Sequence, residues 1–170
     1  MKTILYFISI CIICVVFAQE NIGEYDGVNL SDSIPFFLIN ATDEAKSEYK
    51  NIITNKSLSV NSIKQKIDEL ITNQSDEVKQ VYEEAKAKAA VIETELRANL
   101  TGTMDSLTEN SKPYFQELLN VIENQDIPLS QIPQKLSEIA AKITDESVKN
   151  EIGQFFPINM VNQQPPSDNV

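Results

Sequence analysis

Apolar residues recur at helical spacing along most of the chain from residue 42 onward. Thr42 opens the first such stretch with a hydroxyl suited to an N-cap, and Asp43 and Glu44 follow at the positive end of the helix. Ala45, Tyr49, Ile52 and Ile53 then share one face, which predicts a helix to about Asn55. Lys56–Val60 reads as a short turn. Ser59 or Asn61 caps a second helix with the stripe Ile63, Ile67, Leu70 and Ile71. After a break at Asn73–Ser75, capped by Ser75 or Asp76, a long third helix carries Val78, Val81, Tyr82, Ala85, Ala89, Ile92, Leu96, Leu100, Met104 and Leu107. From Asp76 to about Thr101 it would be about 39 Å long, with Gly102 and Thr103 bending or ending it.

The pattern then starts again. Thr108 or Ser111 caps a fourth helix, Pro113 suits its first turn, and Phe115, Leu118, Leu119 and Ile122 form its stripe. Gln125–Leu129 is a turn. Ser130 caps a fifth helix with Pro133 in its first turn and the stripe Ile132, Leu136, Ile139, Ala140 and Ile143. Thr144 caps a last helix carrying Val148, Ile152 and Phe155. Ahead of the first helix, the apolar cluster Ile34-Pro35-Phe36-Phe37-Leu38 is expected to dock on the bundle; the alternative is an exposed binding tip.

The recurrence is a true internal repeat. In one fixed register, Glu44–Glu77 lies over Pro113–Glu146 without a gap, and ten of the 34 positions are identical. About two or three would match by chance. The identities include Asn55/Asn124, Ile63/Ile132, Asp76/Asp145 and Glu77/Glu146. The expected fold is therefore all-α: five or six helices, with two helical hairpins (units about 43–77 and 112–146) joined by one long helix. Neither hairpin can bury its apolar face alone, so the two are expected to pack on each other and on the long helix, with approximate internal two-fold symmetry, within one domain over residues 34–156.

The ends differ from this domain. Lys2, the apolar run Ile4–Phe17 and the small residue Ala18 read as a secretory signal peptide over residues 1–18, cleaved between Ala18 and Gln19. The run is shorter than the roughly 20 residues a membrane span needs. Gln19–Ser33 reads as a flexible acidic arm, and 157–170, with Gln-Gln-Pro-Pro, as a disordered tail. Cleavage would remove both cysteines, Cys11 and Cys14, and the remaining chain has no Cys, His or Trp. That excludes Ser-His-Asp and Cys-His catalysis and Cys/His zinc sites. The cleaved chain has 13 basic and 25 acidic residues, a net charge of −12. It would repel phosphate backbones, so no nucleic-acid partner is expected, and no membrane span. Asn29, Asn40, Asn55, Asn73 and Asn99 each begin an Asn-x-Ser/Thr glycosylation sequon.

The repeated helix–turn–helix invites a calcium-loop reading, but an EF-hand loop needs about 12 residues, a central Gly and a terminal Glu. Asn55–Ser59 and Asn124–Pro128 are too short and contain no Gly. The remaining metal candidates are Asp76, Glu77, Asp145 and Glu146, acids at helix starts for weak Ca or Mg binding; complementing the helix dipole is their simpler role. The other acidic pairs read as ordinary solvated faces. A cavity for small apolar ligands such as fatty acids could be lined by Phe115, Phe155, Phe156, Tyr82 and Met104, although core packing explains the same residues.

Pro35-Phe36-Phe37-Leu38, Ala45-x-x-x-Tyr49-x-x-Ile52, Asn55-Lys56-Ser57-Leu58-Ser59 and Ile63-x-x-x-Ile67 together resemble the nematode SXP/RAL-type secreted antigens. The domain of that family is described as a nematode-allergen-like cation-binding domain. The resemblance covers about Ile34–Phe156. It implies a secreted or surface-associated, helical, often immunogenic protein with no established enzymatic activity, acting at a host or extracellular interface. The family's tryptophan-alanine pair in the second helix is absent; Leu70-Ile71 stands near that place. No metal ligand carries over residue by residue.

Overall fold

The structure, a computed structural model, describes residues 34–156. The signal segment with Ala18 and Gln19, the arm, Asn29 and the tail lie outside the described residues. Within them the chain forms six α-helices: α1 (Asp43–Thr54), α2 (Val60–Thr72), α3 (Asp76–Ser106), α4 (Lys112–Glu123), α5 (Ile132–Lys142) and α6 (Glu146–Ile152). Short 3₁₀ turns at Phe36–Leu38 and Leu129–Gln131 precede α1 and α5. This is the all-α bundle that the apolar pattern predicts.

The first three helices start where hydroxyls can cap them. Thr42 accepts from the Ala45 N–H at 3.2 Å, Ser59 from Ser62 at 3.2 Å and Ser75 from Val78 at 3.4 Å. Each satisfies an amide that the helix itself leaves unpaired. The second half departs from the expected caps. Pro128 stands where the repeat has Ser59 and offers no hydroxyl, so the chain makes a 3₁₀ turn first. α5 then begins at Ile132 with Gln131, not Ser130, at its N-cap. Asp145, not Thr144, caps α6 by accepting from the Ser147 N–H at 2.7 Å. Ser111 occupies the N-cap of α4, but its hydroxyl caps no backbone amide.

Gly102 does not end α3, which runs on to Ser106 and is 31 residues long, roughly 46 Å. A helix-interior glycine costs about 1 kcal/mol relative to alanine. The buried Leu100 and Leu107 and the half-buried Met104 outweigh that.

Burial bears out the expected packing of each hairpin on the long helix and corrects the expectation that their faces also cover each other. The buried apolar side chains form two clusters. The first holds Phe37, Leu38, Tyr49 and the inner faces of α1, α2 and the start of α3. The second holds Phe115, Ile152, Phe156 and the inner faces of α4 and α5 with the end of α3. The α3 stripe is not buried throughout: from Lys86 to Asn99 no side chain is fully buried, and Val91 is 59% exposed. Each hairpin thus closes its core with one end of α3 and a flanking aromatic segment. Phe37 and Leu38 dock as expected, while Ile34 stays exposed.

Candidate functional site

The two units meet at their loops. The repeat mates Asn55 and Asn124 end α1 and α4 with nearly equal backbone angles (φ −78°, ψ 94° and φ −75°, ψ 95°). Each side-chain oxygen accepts a backbone N–H two residues on, from Ser57 and from Asp126, both at 3.0 Å. These Asx turns reverse the chain without a glycine. The loops then pair through an antiparallel bridge between Ser59 and Pro128, which are themselves repeat mates. The two flanking bonds are each other's equivalents under the repeat: the Asn61 N–H donates to the Gln125 carbonyl at 3.0 Å, and the Ser130 N–H to the Lys56 carbonyl at 2.8 Å. A local two-fold axis therefore passes through the bridge. Pro128 is tolerated because neighbouring residues supply the donors. The Asn61 amide adds a bond to the Asp126 carboxylate at 2.7 Å, and Lys64 reaches Gln125 at 3.0 Å. Leu129 packs against both cores.

This layout brings two helix–loop–helix units loop to loop, but the first loop is only Asn55–Ser59. The one carboxylate residue in the two loops Asn55–Ser59 and Asn124–Pro128, Asp126, is already bonded to Asn61. The four acids singled out from the repeat are placed apart in role. Asp76 and Glu77 lie in the first turn of α3, with Asp76 3.7 Å from Lys79 and Glu77 accepting from the Asn40 amide at 2.9 Å. Asp145 is a cap, and Glu146 pairs with Lys149 at 2.6 Å. The caps of α3 and α6 are Ser75 and Asp145, although the repeat register sets Asp145 against Asp76, so the repeat slips by one position here. Asp76 and Asp145 therefore hold different helical positions. Among the described residues no three acidic side chains gather so as to hold a metal ion. No buried side-chain nitrogen or oxygen among them is left unpaired. Among the described residues, these four acids do not converge into the shell of six to eight oxygens that a calcium cage takes.

The residues proposed to line one apolar cavity are divided. Tyr82 belongs to the first core, and Phe115, Phe155, Phe156 and Met104 to the second. Phe115 stacks edge-on against Phe155 and Phe156, with ring centroids 5.8 and 5.3 Å apart. Four of the five sequon asparagines, Asn40, Asn55, Asn73 and Asn99, are exposed.

Two polar clusters give residues that the sequence pattern marks only singly partners from other elements. Tyr82 donates its hydroxyl to Asp68 at 2.9 Å, and Lys86 bridges Asp68 at 3.3 Å and Glu83 at 2.7 Å. Burial first, then the bond to Asp68, pushes the Tyr82 hydroxyl far above its ordinary range. The other cluster is at Glu151. Its carboxylate accepts from the Ser111 hydroxyl, from the Thr108 hydroxyl at 2.7 Å and from the Thr108 N–H at 2.9 Å. These bonds, Ser111 first, lower its pKa. No sequence signal connects residues so far apart.

The described residues thus form two helix–turn–helix units bridged at their loops, and no acid cluster able to hold a metal ion is found among them. The chain belongs to the SXP/RAL-2 family: it matches the family model for the Ani s 5-like, metal-binding domain over residues 1–161. This is a family of antigens and allergens, not a known enzyme family. No curated protein and no solved structure matches the chain. No helix among the described residues is long and apolar enough to cross a membrane.

Proposed function

We propose that this antigen-like protein is secreted and works without catalysis, through its folded surface, at an extracellular or host interface. The match to the SXP/RAL-2 family over residues 1–161 carries the reading. The leader pattern Ile4–Ala18 and the absence of His from the whole chain support it. The described polar groups also serve the fold: hydroxyls and Asp145 cap helices, and Asn55 and Asn124 turn loops. Expression of the full chain with its own leader in a eukaryotic secretory host tests the reading. Soluble protein beginning at Gln19 should accumulate in the medium. Protein retained in cell membranes with Met1 intact would refute secretion. Turnover of any substrate by the purified chain would refute the non-catalytic role.

Divalent-cation binding is the second reading, favoured by the family's description as a metal-binding domain. The helix-start acids offer single carboxylates, so affinity should be no better than about millimolar, the weak end of the range for extracellular calcium modules. Calorimetric titration with calcium and magnesium decides it, using the wild type beside Asp76→Asn/Glu77→Gln and Asp145→Asn/Glu146→Gln. Heats that survive both double substitutions rule these acids out as ligands.

A further inference from the structure

The second core is closed from outside by the chain's last described element. α6 buries Val148 and Ile152, and the turn after it lays Phe155 and Phe156 on Phe115. The contact that ties α6 to the rest is polar. Glu151 reaches far back along the chain to Ser111, which is fully buried, and to Thr108 in the turn between α3 and α4. The attraction comes from neutral donors and not from a cation. The charged groups on the elements around it have partners of their own: Lys112 pairs with Glu109 and also faces Asp105, Lys142 pairs with Glu117, and Lys149 pairs with Glu146.

We propose that Glu151 is an acid-released latch: its carboxylate holds α6 and the Phe155–Phe156 pair on the second core, and its protonation frees them. A carboxylate that accepts three hydrogen bonds stabilises the closed form most strongly while ionised. A protonated carboxyl must give one oxygen to its own proton, and it is a weaker acceptor on the other. The hydrogen bonds hold the Glu151 carboxyl below the ordinary value of 4.5. The sign follows by linkage: the contribution is complete above the unfolded carboxyl's pKa and is lost as the pH falls through the lower folded one. Opening would uncover Phe115 and the inner face of α4 while leaving the first core intact.

Hydrogen exchange on the full cleaved chain tests this, with Glu151→Gln as a mimic of the protonated state. At neutral pH, residues 146–156 of E151Q should exchange roughly tenfold faster than in the wild type, the scale of losing one charge-assisted hydrogen bond. Asp43–Thr72 should be unchanged. Corrected for intrinsic rates, the wild type should lose the same protection on acidification, and E151Q little more. Equal protection of 146–156 in both proteins at neutral pH would overturn the proposal. So would an equal further loss in acid. Ser111→Ala keeps the carboxylate and removes one donor, so it should move the wild-type midpoint of α6 release to higher pH. If E151Q does not fold, an unmoved midpoint in S111A overturns the proposal instead.

Discussion

A Cβ at Gly102 would meet nothing within 4 Å, and the position lies inside α3. Gly102→Ala should therefore raise stability by roughly 0.5–1 kcal/mol, mainly by restricting the unfolded chain. At Gly153 the added Cβ would lie 2.8 Å from the Lys149 carbonyl, and the Gly153 N–H also donates to that carbonyl at 2.8 Å. Gly153→Ala should destabilise instead, and urea unfolding of the two variants should shift in opposite directions. Tyr82 gives a pH signature. Its folded pKa is raised, so the stabilisation is complete below the unfolded value of 10.0 and is lost as the pH rises beyond it. Phenolate absorbance should show Tyr82 ionising only as the protein unfolds, and Tyr82→Phe should reduce that late step. Thr42, Ser59 and Ser75 were legible as caps because a cap needs only a local hydroxyl beside a helical stripe. Glu151 was not, because its partners, Ser111 and Thr108, belong to a distant part of the chain.

At the level of elements, the identity Asn55/Asn124 has a clear use: both residues end a helix and make the same Asx turn. Asn55→Ala and Asn124→Ala should cost similar amounts, about 1 kcal/mol each, since each frees one turn amide. Markedly unequal losses in thermal unfolding would show that the two loops are not equivalent. The identities Asp76/Asp145 and Glu77/Glu146 mislead at this scale. Asp145 matches Asp76 in sequence but does the capping work of Ser75, so these acids differ in helical position. A gapless alignment cannot see that slip, because it is set by where hydrogen bonding begins. α3 also runs on past Gly102 to Ser106. Gly102 carries a weak local preference, whereas the packing of Leu100 and Leu107 on the second hairpin is a tertiary term.

Across the molecule, two cores are strung on one helix and pinned together at the loops. Removing a large side chain should damage mainly its own half. Phe37→Ala and Phe115→Ala should each cost about 3–5 kcal/mol, since both sites are fully buried among aromatic neighbours. Hydrogen exchange should show Phe37→Ala loosening α1 and α2 while α4 and α5 keep their protection, and the reverse for Phe115→Ala. Uniform loss across both halves in each variant would mean that the loop bridge and α3 make the molecule one cooperative unit.

The sequence by itself determined the helices, most of the first half's caps, the repeat and the family, because periodicity, capping and turn chemistry act over a few residues. Tertiary structure alone decided three things. It divided the apolar residues between two cores, placing Tyr82 away from Phe115, Phe155 and Phe156. It set Ser59 against Pro128 on a local dyad, and it brought Glu151 to Ser111. An apolar stripe specifies that a face is buried, not which of several equally apolar faces covers it. That choice depends on the length of α3 and the direction in which each loop returns the chain.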